Sequence, residues 1–137
     1  MITAVDTNII LDILIPDEPF SLSSKVLLDR HVSMGQLIIC EVVYAELSST
    51  FHSDNELKSF LVETGIRLTY SHEKSLYLAG TRWAEYARKK DKGTKRLYVL
   101  ADFLIGAHAL IHADCIISRD PVIYKTYFRD LKVVSSV

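Results

Sequence analysis

Four acidic residues of this chain lie in apolar stretches of sequence, where a buried carboxylate would need a positively charged partner. Asp6 and Asp120 each follow a short apolar run, and Glu46 and Asp102 fall on apolar faces of predicted helices. An unpaired buried carboxylate is costly or changes its protonation, so buried charges are normally paired or bound to a metal ion. If the four side chains come together, a divalent cation is their simplest shared partner.

A cluster of carboxylates predicts a particular chemistry. Hard oxygen ligands suit Mg²⁺ or Mn²⁺, and such an ion can orient a phosphodiester, activate a water and offset charge on the leaving oxygen. Taken singly, Asp6 or Asp120 could instead cap a helix, and Glu46 could pair with a lysine. The conjunction of all four favours phosphodiester hydrolysis at a metal centre.

The apolar pattern predicts the elements that must position these acids. Continuous apolar runs, typical of buried parallel strands, predict strands over 2–5, 37–40 and 115–118; alternation predicts one over 66–70, and 131–134 is the expected final strand. Helical spacing predicts helices over 8–15, 21–31, 41–51, 55–64, 72–90 and 97–112, with Pro121 in the first turn of another. We therefore expect one α/β domain over residues 1–137, a three-layer fold with about five parallel strands and helices on both faces.

The predicted sheet would bring the acids to one edge. Sites in open parallel sheets form beyond the carboxyl ends of strands, where the strand order reverses. Asp6 and Asp120 each follow a strand, so they converge if the two strands are neighbours. Asp102 shares a helix face with small residues, including Gly106 and Ala109, which would let that face lie close to the sheet.

The chain resembles the PIN-domain nucleases, and in particular the VapC-like toxin ribonucleases of toxin–antitoxin pairs. The resemblance spans the whole chain and rests on segments 5–12 (VDTNIILD), 43–47 (VYAEL), 101–110 (ADFLIGAHAL) and 117–121 (ISRDP). A single aspartate opening is a weak signal, whereas all four segments in this order and length are a strong one.

The resemblance implies both a site and an activity. The family's four acidic metal ligands match Asp6, Glu46, Asp102 and Asp120, which implies an Mg²⁺- or Mn²⁺-dependent endoribonuclease, usually a homodimer, with a cognate antitoxin as partner. Asn8 and Ser118 match polar helper positions that hold carboxylates or water. Asp12 also matches a common family residue, but a solvated helix end is the simpler interpretation.

Basic residues could contact RNA, although the net charge of −1 argues against a protein that binds nucleic acid over its whole surface. Six basic residues and one acidic residue lie between Arg88 and Arg96, where Lys92, Lys95 and Arg96 could contact phosphates. A solvated helix end is the alternative for this segment. Arg119, next to Asp120, could clamp a phosphate or form a surface ion pair.

The remaining chemistry-bearing residues have structural interpretations. Cys40 and Cys115 are expected to be buried free thiols in a reducing compartment. His108 and His112 lack the glutamate of the zinc motif between them, and packing is expected for both. Packing is also expected for the aromatic residues Trp83, Tyr86 and Tyr98, with base stacking as the alternative.

No apolar run is long enough to span a bilayer, so we expect a cytoplasmic protein. Two other functions stay open. A phosphatase could use Asp6 as a covalent nucleophile, although such enzymes usually carry a second aspartate where Asn8 stands. A non-catalytic module could use the same acidic cleft to bind a basic peptide.

Overall fold

Parallel strands and intervening helices make up the computed structural model, which describes residues 1–16, 19–89 and 97–135. Its strands are β1 (Ile2–Val5), β2 (Gln36–Ile39), β3 (Ile66–Leu68), β4 (Cys115–Ser118) and β5 (Lys132–Ser135). Its helices are α1 (Thr7–Leu14), α2 (Ser21–Met34), α3 (Glu41–Ser48), α4 (Asp54–Thr64), α5 (Glu73–Lys89), α6 (Leu100–His112) and α7 (Val122–Tyr127). No helix of the described residues is long and apolar enough to cross a membrane.

The five strands form one parallel sheet in the order β3-β2-β1-β4-β5. The first two connections run in one direction along the sheet and the last two run in the other. Because such crossovers are right-handed, α1–α4 cover one face and α5–α7 cover the other. All four residues of β4 are buried, as expected for a strand covered on both sides. The expected three-layer α/β fold is confirmed.

The predicted start of one helix was wrong. We expected the sixth helix to begin at Leu97, whereas α6 begins at Leu100. The apolar pattern continues through 97–99, but the Asp102 carboxylate accepts the Val99 amide and so stabilises a later start.

Gly106, one of the small residues expected to face the sheet, lies against an aromatic ring. A Cβ added to Gly106 would lie 2.5 Å from Cε2 of Phe128, whose ring is buried. Gly106 therefore makes room for an aromatic side chain that follows α7. This contact fixes α6, which carries Asp102, against the C-terminal part of the fold.

We predict that Gly106→Ala lowers the free energy of unfolding. Overpacking against the buried Phe128 ring costs about 1–3 kcal/mol, which exceeds the roughly 0.5–1 kcal/mol that alanine gains in a helix. Gly80→Ala is the matched control, because nothing lies within 4 Å of an added Cβ there. Urea denaturation should show a loss for the first variant and a small gain for the second. Equal stability of the two variants would contradict the packing role.

Candidate metal centre at the carboxyl ends of β1 and β4

The point where the strand order reverses lies between β1 and β4, and it brings two of the predicted site segments together. Val5 is in register with Ile117, and the amide of Asp6 donates a 3.1 Å hydrogen bond to the Ile117 carbonyl. Asp6 is also the N-cap of α1. The backbone therefore holds Asp6 and Ser118 beside each other at the edge of the sheet where ligands commonly bind.

Asp6 is a buried carboxylate with a full set of donors. Its Oδ1 accepts the Thr7 amide at 2.7 Å, and its Oδ2 accepts the hydroxyls of Ser118 at 2.8 Å and Tyr124 at 2.6 Å. Burial raises the pKa of Asp6, the three hydrogen bonds oppose that rise, and the charge of Asp102 adds to it. Asp6 thus costs stability when ionised, and its neighbours reduce this cost.

Asp102 and Asp120 lie in the same electrostatic environment. Asp102 is the third residue of α6 and is half-buried, and burial together with the charge of Asp120 raises its pKa. The pKa of the buried Tyr124 hydroxyl is raised well above its ordinary value, first by burial and then by Asp6, Asp102 and Asp120. Three of the four predicted acids therefore act on Tyr124, and repulsion acts between Asp6 and Asp102 and between Asp102 and Asp120.

Glu46 is placed differently from our expectation. It was expected on a buried apolar face, but the apolar contacts of α3 are made by Val43 and Leu47, and Glu46 is exposed. Residues three and four apart share a helix face, so Glu46 falls at the border of that face rather than at its centre. Its Oε1 accepts the Thr7 hydroxyl at 2.6 Å, which links it to the residue after Asp6.

Asp120 also departs from the expectation of burial. It follows buried Ser118 but is itself exposed, because it lies in the turn beyond the end of β4. Among the described residues its carboxylate has no hydrogen-bond or ion-pair partner, and only its amide is bound, to the Ser118 hydroxyl at 2.9 Å. Of the four acids, only Asp6 is buried.

The donor chemistry of this edge fits a divalent cation. None of the four acids forms an ion pair with a lysine or arginine in the described parts of the chain, where the acids that do so are Asp12, Asp29, Asp54 and Glu85. Within those parts, no group of three or more histidine, cysteine, aspartate or glutamate side chains is placed so that it could hold a metal ion without rearrangement. The edge is thus a set of hard oxygen donors without a positive partner, the type of donor that Mg²⁺ and Mn²⁺ prefer.

The two predicted helper residues connect the strand ends. The Asn8 side chain donates to the Ser118 hydroxyl at 3.4 Å and accepts the Arg119 amide at 3.1 Å. Ser118 is fully buried and donates to Asp6. This network fixes the turn that carries Asp120 relative to the start of α1.

Tyr124 is a site residue that the sequence analysis missed. It is 1% exposed and lies in α7, where an apolar environment would leave its hydroxyl unsatisfied without the Asp6 carboxylate. The available signal was its position in a short helix directly after the Asp120 turn. That signal is weak because a buried tyrosine is usually a packing residue.

The prediction for Asp12 was also wrong. It was expected at a solvated helix end, but it is 1% exposed. Its Oδ2 accepts the Ser24 hydroxyl at 2.6 Å and Nε of Arg119 at 2.7 Å. Of the two alternatives for Arg119, the structure shows an ion pair, with a buried rather than a surface partner.

Other predicted features are accounted for in part. The segment that holds Lys92, Lys95 and Arg96 lies outside the described residues. Trp83, Tyr86 and Tyr98 pack with Phe103 in an aromatic cluster, which confirms the packing interpretation. Both cysteines are buried and free, as expected.

The histidine pair of α6 has hydrogen-bonding roles. The His108 ring shares a 2.8 Å hydrogen bond with the Thr69 carbonyl, and the His112 ring accepts the His72 amide at 3.2 Å. Burial lowers the pKa of His108. These contacts agree with the packing interpretation and leave both residues outside the acidic edge.

Comparison with known proteins identifies the family. Residues 3–129 match the PIN domain, so the chain belongs to the PIN-domain family. None of the curated proteins matches the chain by sequence.

Solved structures show the same fold at low identity. VapBC2 from Rickettsia felis, bound to a promoter DNA fragment, is 20% identical with a TM-score of 0.71, and each chain is covered to 98%. VapBC-1 from nontypeable Haemophilus influenzae is 24% identical with a TM-score of 0.70 over 99% of this chain and 98% of that one. VapC20 from Mycobacterium tuberculosis, a toxin that cleaves the sarcin–ricin loop, is 13% identical with a TM-score of 0.61 over 94% and 98%.

We predict that Tyr124→Phe destabilises the metal-free protein in a pH-dependent way. The raised pKa of Asp6 means that its stability contribution falls as pH rises through the folded-state pKa, because the unfolded chain releases this proton more readily. Removing the Tyr124 donor raises the pKa of Asp6 further. The free energy of unfolding should therefore fall by about 1–3 kcal/mol near pH 7 and by less near pH 4.

The measurement is urea denaturation in EDTA over that pH range. Tyr77→Phe is the matched control, because Tyr77 is 78% exposed. A destabilisation of Tyr124→Phe that is the same at every pH would contradict a role in holding the Asp6 charge.

Proposed function

We propose that this protein is an Mg²⁺- or Mn²⁺-dependent endoribonuclease and the toxin of a toxin–antitoxin pair. The observation that carries the proposal is that the charges of Asp6, Asp102 and Asp120 all act on the buried Tyr124 hydroxyl, while none of these acids has a basic partner among the described residues. An arrangement that costs stability in the free protein is typical of a functional site.

The four acids differ in how many hydrogen bonds orient their carboxylates. Asp6 would be the fixed ligand, because Thr7, Ser118 and Tyr124 already orient both of its oxygens. Asp102, Asp120 and Glu46 would complete the set of carboxylates that holds the ion. A bound Mg²⁺ or Mn²⁺ would neutralise the mutual repulsion and favour attack of water on a phosphodiester.

Similar solved structures and an exposed apolar groove both support the proposed substrate and partners. VapC20 cleaves an RNA loop, and the other two similar structures are toxin–antitoxin complexes. A groove of about 620 Å³ between α3, α4 and β3 is bordered by Val62 and Tyr70, which are 81% and 70% exposed. Such exposed apolar residues support a protein partner, and we infer a cognate antitoxin, a homodimer and a cytoplasmic location.

The phosphatase alternative receives less support from the geometry. A covalent nucleophile must reach its substrate, whereas Asp6 is 7% exposed and both of its oxygens accept hydrogen bonds. The non-catalytic alternative is tested by RNA cleavage. Peptide binding at the acidic edge does not distinguish the hypotheses, because a toxin would bind its antitoxin there and a non-catalytic module would bind a basic peptide there.

We predict that Asp120→Asn and Asp102→Asn each reduce Mn²⁺-dependent cleavage of total RNA by at least about 100-fold, because loss of a ligand exceeds the 10–100-fold effect of its supporting neighbours. Both should fold, since Asp120 makes no described side-chain bond and an asparagine oxygen at position 102 can still accept the Val99 amide. Cleavage is measured with Mn²⁺ and with EDTA, and new RNA ends are mapped.

Asp130→Asn is the matched control, an exposed acid in the turn before β5 at the opposite edge of the sheet. Undiminished cleavage by folded Asp120→Asn would refute the ligand assignment. A folded wild-type protein that cleaves no RNA with Mn²⁺ would favour the non-catalytic module.

We also predict that metal binding stabilises the protein independently of turnover. Mn²⁺ at about 100 times its dissociation constant should raise the free energy of unfolding of the wild type by roughly 2.7 kcal/mol. In EDTA, Asp102→Asn should be at least as stable as the wild type, because it removes a charge whose pKa is raised by burial and by Asp120. Denaturation with and without Mn²⁺ tests both statements, and an equal gain in wild type and variant would contradict them.

A further inference from the structure

Asp12 is a buried acid whose charge is neutralised by Arg119. It lies on α1 and is 1% exposed, and its Oδ2 accepts bonds from Ser24 of α2 and from Nε of Arg119. A buried carboxylate of this kind needs such a partner. The ion pair joins α1 to the turn after β4, over a separation of 107 residues in sequence.

The guanidinium of Arg119 has two described contacts, with Asp12 and Phe20, and its Nη atoms make no described hydrogen bond. Its Nε is bound to Asp12, and its Cζ lies 4.5 Å from the centre of the Phe20 ring. The side chain is 29% exposed, and no described residue accepts a hydrogen bond from either Nη atom. Arginine presents five N–H donors in one plane, so four of them stay available in a fixed orientation.

The backbone of Arg119 lies at the acidic edge, next to Asp120. Arg119 lies between Ser118, which donates to Asp6, and Asp120, and its amide donates to the Asn8 side chain. Both ends of the Arg119 side chain are therefore anchored: the backbone by Asn8 and the guanidinium by Asp12. Because the charge of Arg119 is balanced by Asp12, Arg119 does not neutralise the four acids in place of a metal ion.

We propose that Arg119 binds a phosphate of the RNA backbone beside Asp120, and that Asp12 and Phe20 are positioning residues that fix its guanidinium. This inference rests on the proposed function. Acidic groups at the edge repel RNA phosphates, so a fixed donor group is needed to hold the strand there. Arginine is suited to this because two Nη atoms can donate to one phosphate together, and such contacts position a strand without reading its sequence.

The first test measures substrate binding apart from chemistry. Arg119→Ala and Arg119→Lys should raise KM for a labelled single-stranded RNA by about 10-fold while kcat changes by less than about 3-fold, because the phosphate contact positions the substrate. Lysine keeps the charge but not the paired donors, so it should rescue less than half of the loss. Arg129→Ala is the matched control, an exposed arginine between α7 and β5.

The second test uses the salt dependence of RNA binding in the inactive Asp102→Asn background. Loss of one phosphate contact should reduce the slope of log Kd against log salt concentration by about 0.7. In the active enzyme, Asp12→Asn with Arg119 intact should raise KM. In the inactive background it should leave most of this slope, because the cation stays while its orientation is lost.

A third variant separates the proposed role from folding. Arg119→Ala leaves Asp12 buried without its ion pair and could unfold, so the double variant Asp12→Asn with Arg119→Gln keeps a neutral hydrogen-bonded pair. This double variant should fold by urea denaturation and show the raised KM and the reduced slope. Unchanged KM and slope in the folded double variant would overturn the phosphate assignment alone. Absence of Mn²⁺-dependent cleavage by the wild type would overturn the proposed function and this inference together.

Discussion

The parallel pairing of β1 with β4 is the constraint on which the site depends. It sets Val5 against Ile117 and so makes Asp6 and Ser118 neighbours, although they are 112 residues apart in sequence. Ser118 then fixes Asp120 through its amide. A shift of one residue in this register would turn the strand's side chains to the opposite faces, and the site would lose its buried acid and its core contacts at once.

The pairing also creates an electrostatic cost that the rest of the site reduces without removing. Burial raises the pKa of Asp6 and of Asp102, and each feels another acid. Hydrogen bonds from Tyr124 and Ser118 favour the ionised form of Asp6, and the amide of Val99 does the same for Asp102. These donors hold the carboxylates in defined orientations, so the same contacts that limit the instability also preorganise the site.

The fold was largely predictable from sequence, and the site only in part, for a physical reason. Strands buried on both faces are apolar at every position, so β4 could be assigned with its correct ends. The exposure of Glu46 and the burial of Asp12 depend on how distant elements pack, which no local pattern records. Tyr124 could not be identified because its role is defined by the carboxylate it reaches, 118 residues away.

The contrast between Asp12 and Asp6 is the strongest argument for the proposed metal ion. Both are buried carboxylates, Asp6 at the N-cap of α1 and Asp12 within it, and the fold supplies an arginine to one of them. That arginine follows Ser118, which is bonded to Asp6, and yet it pairs with Asp12 instead. The fold can therefore supply a basic partner to a buried acid, as it does for Asp12. It nevertheless leaves Asp6 under repulsion from Asp102. The unpaired state of Asp6 is therefore specific to its place at the strand end, as expected if a divalent ion completes it.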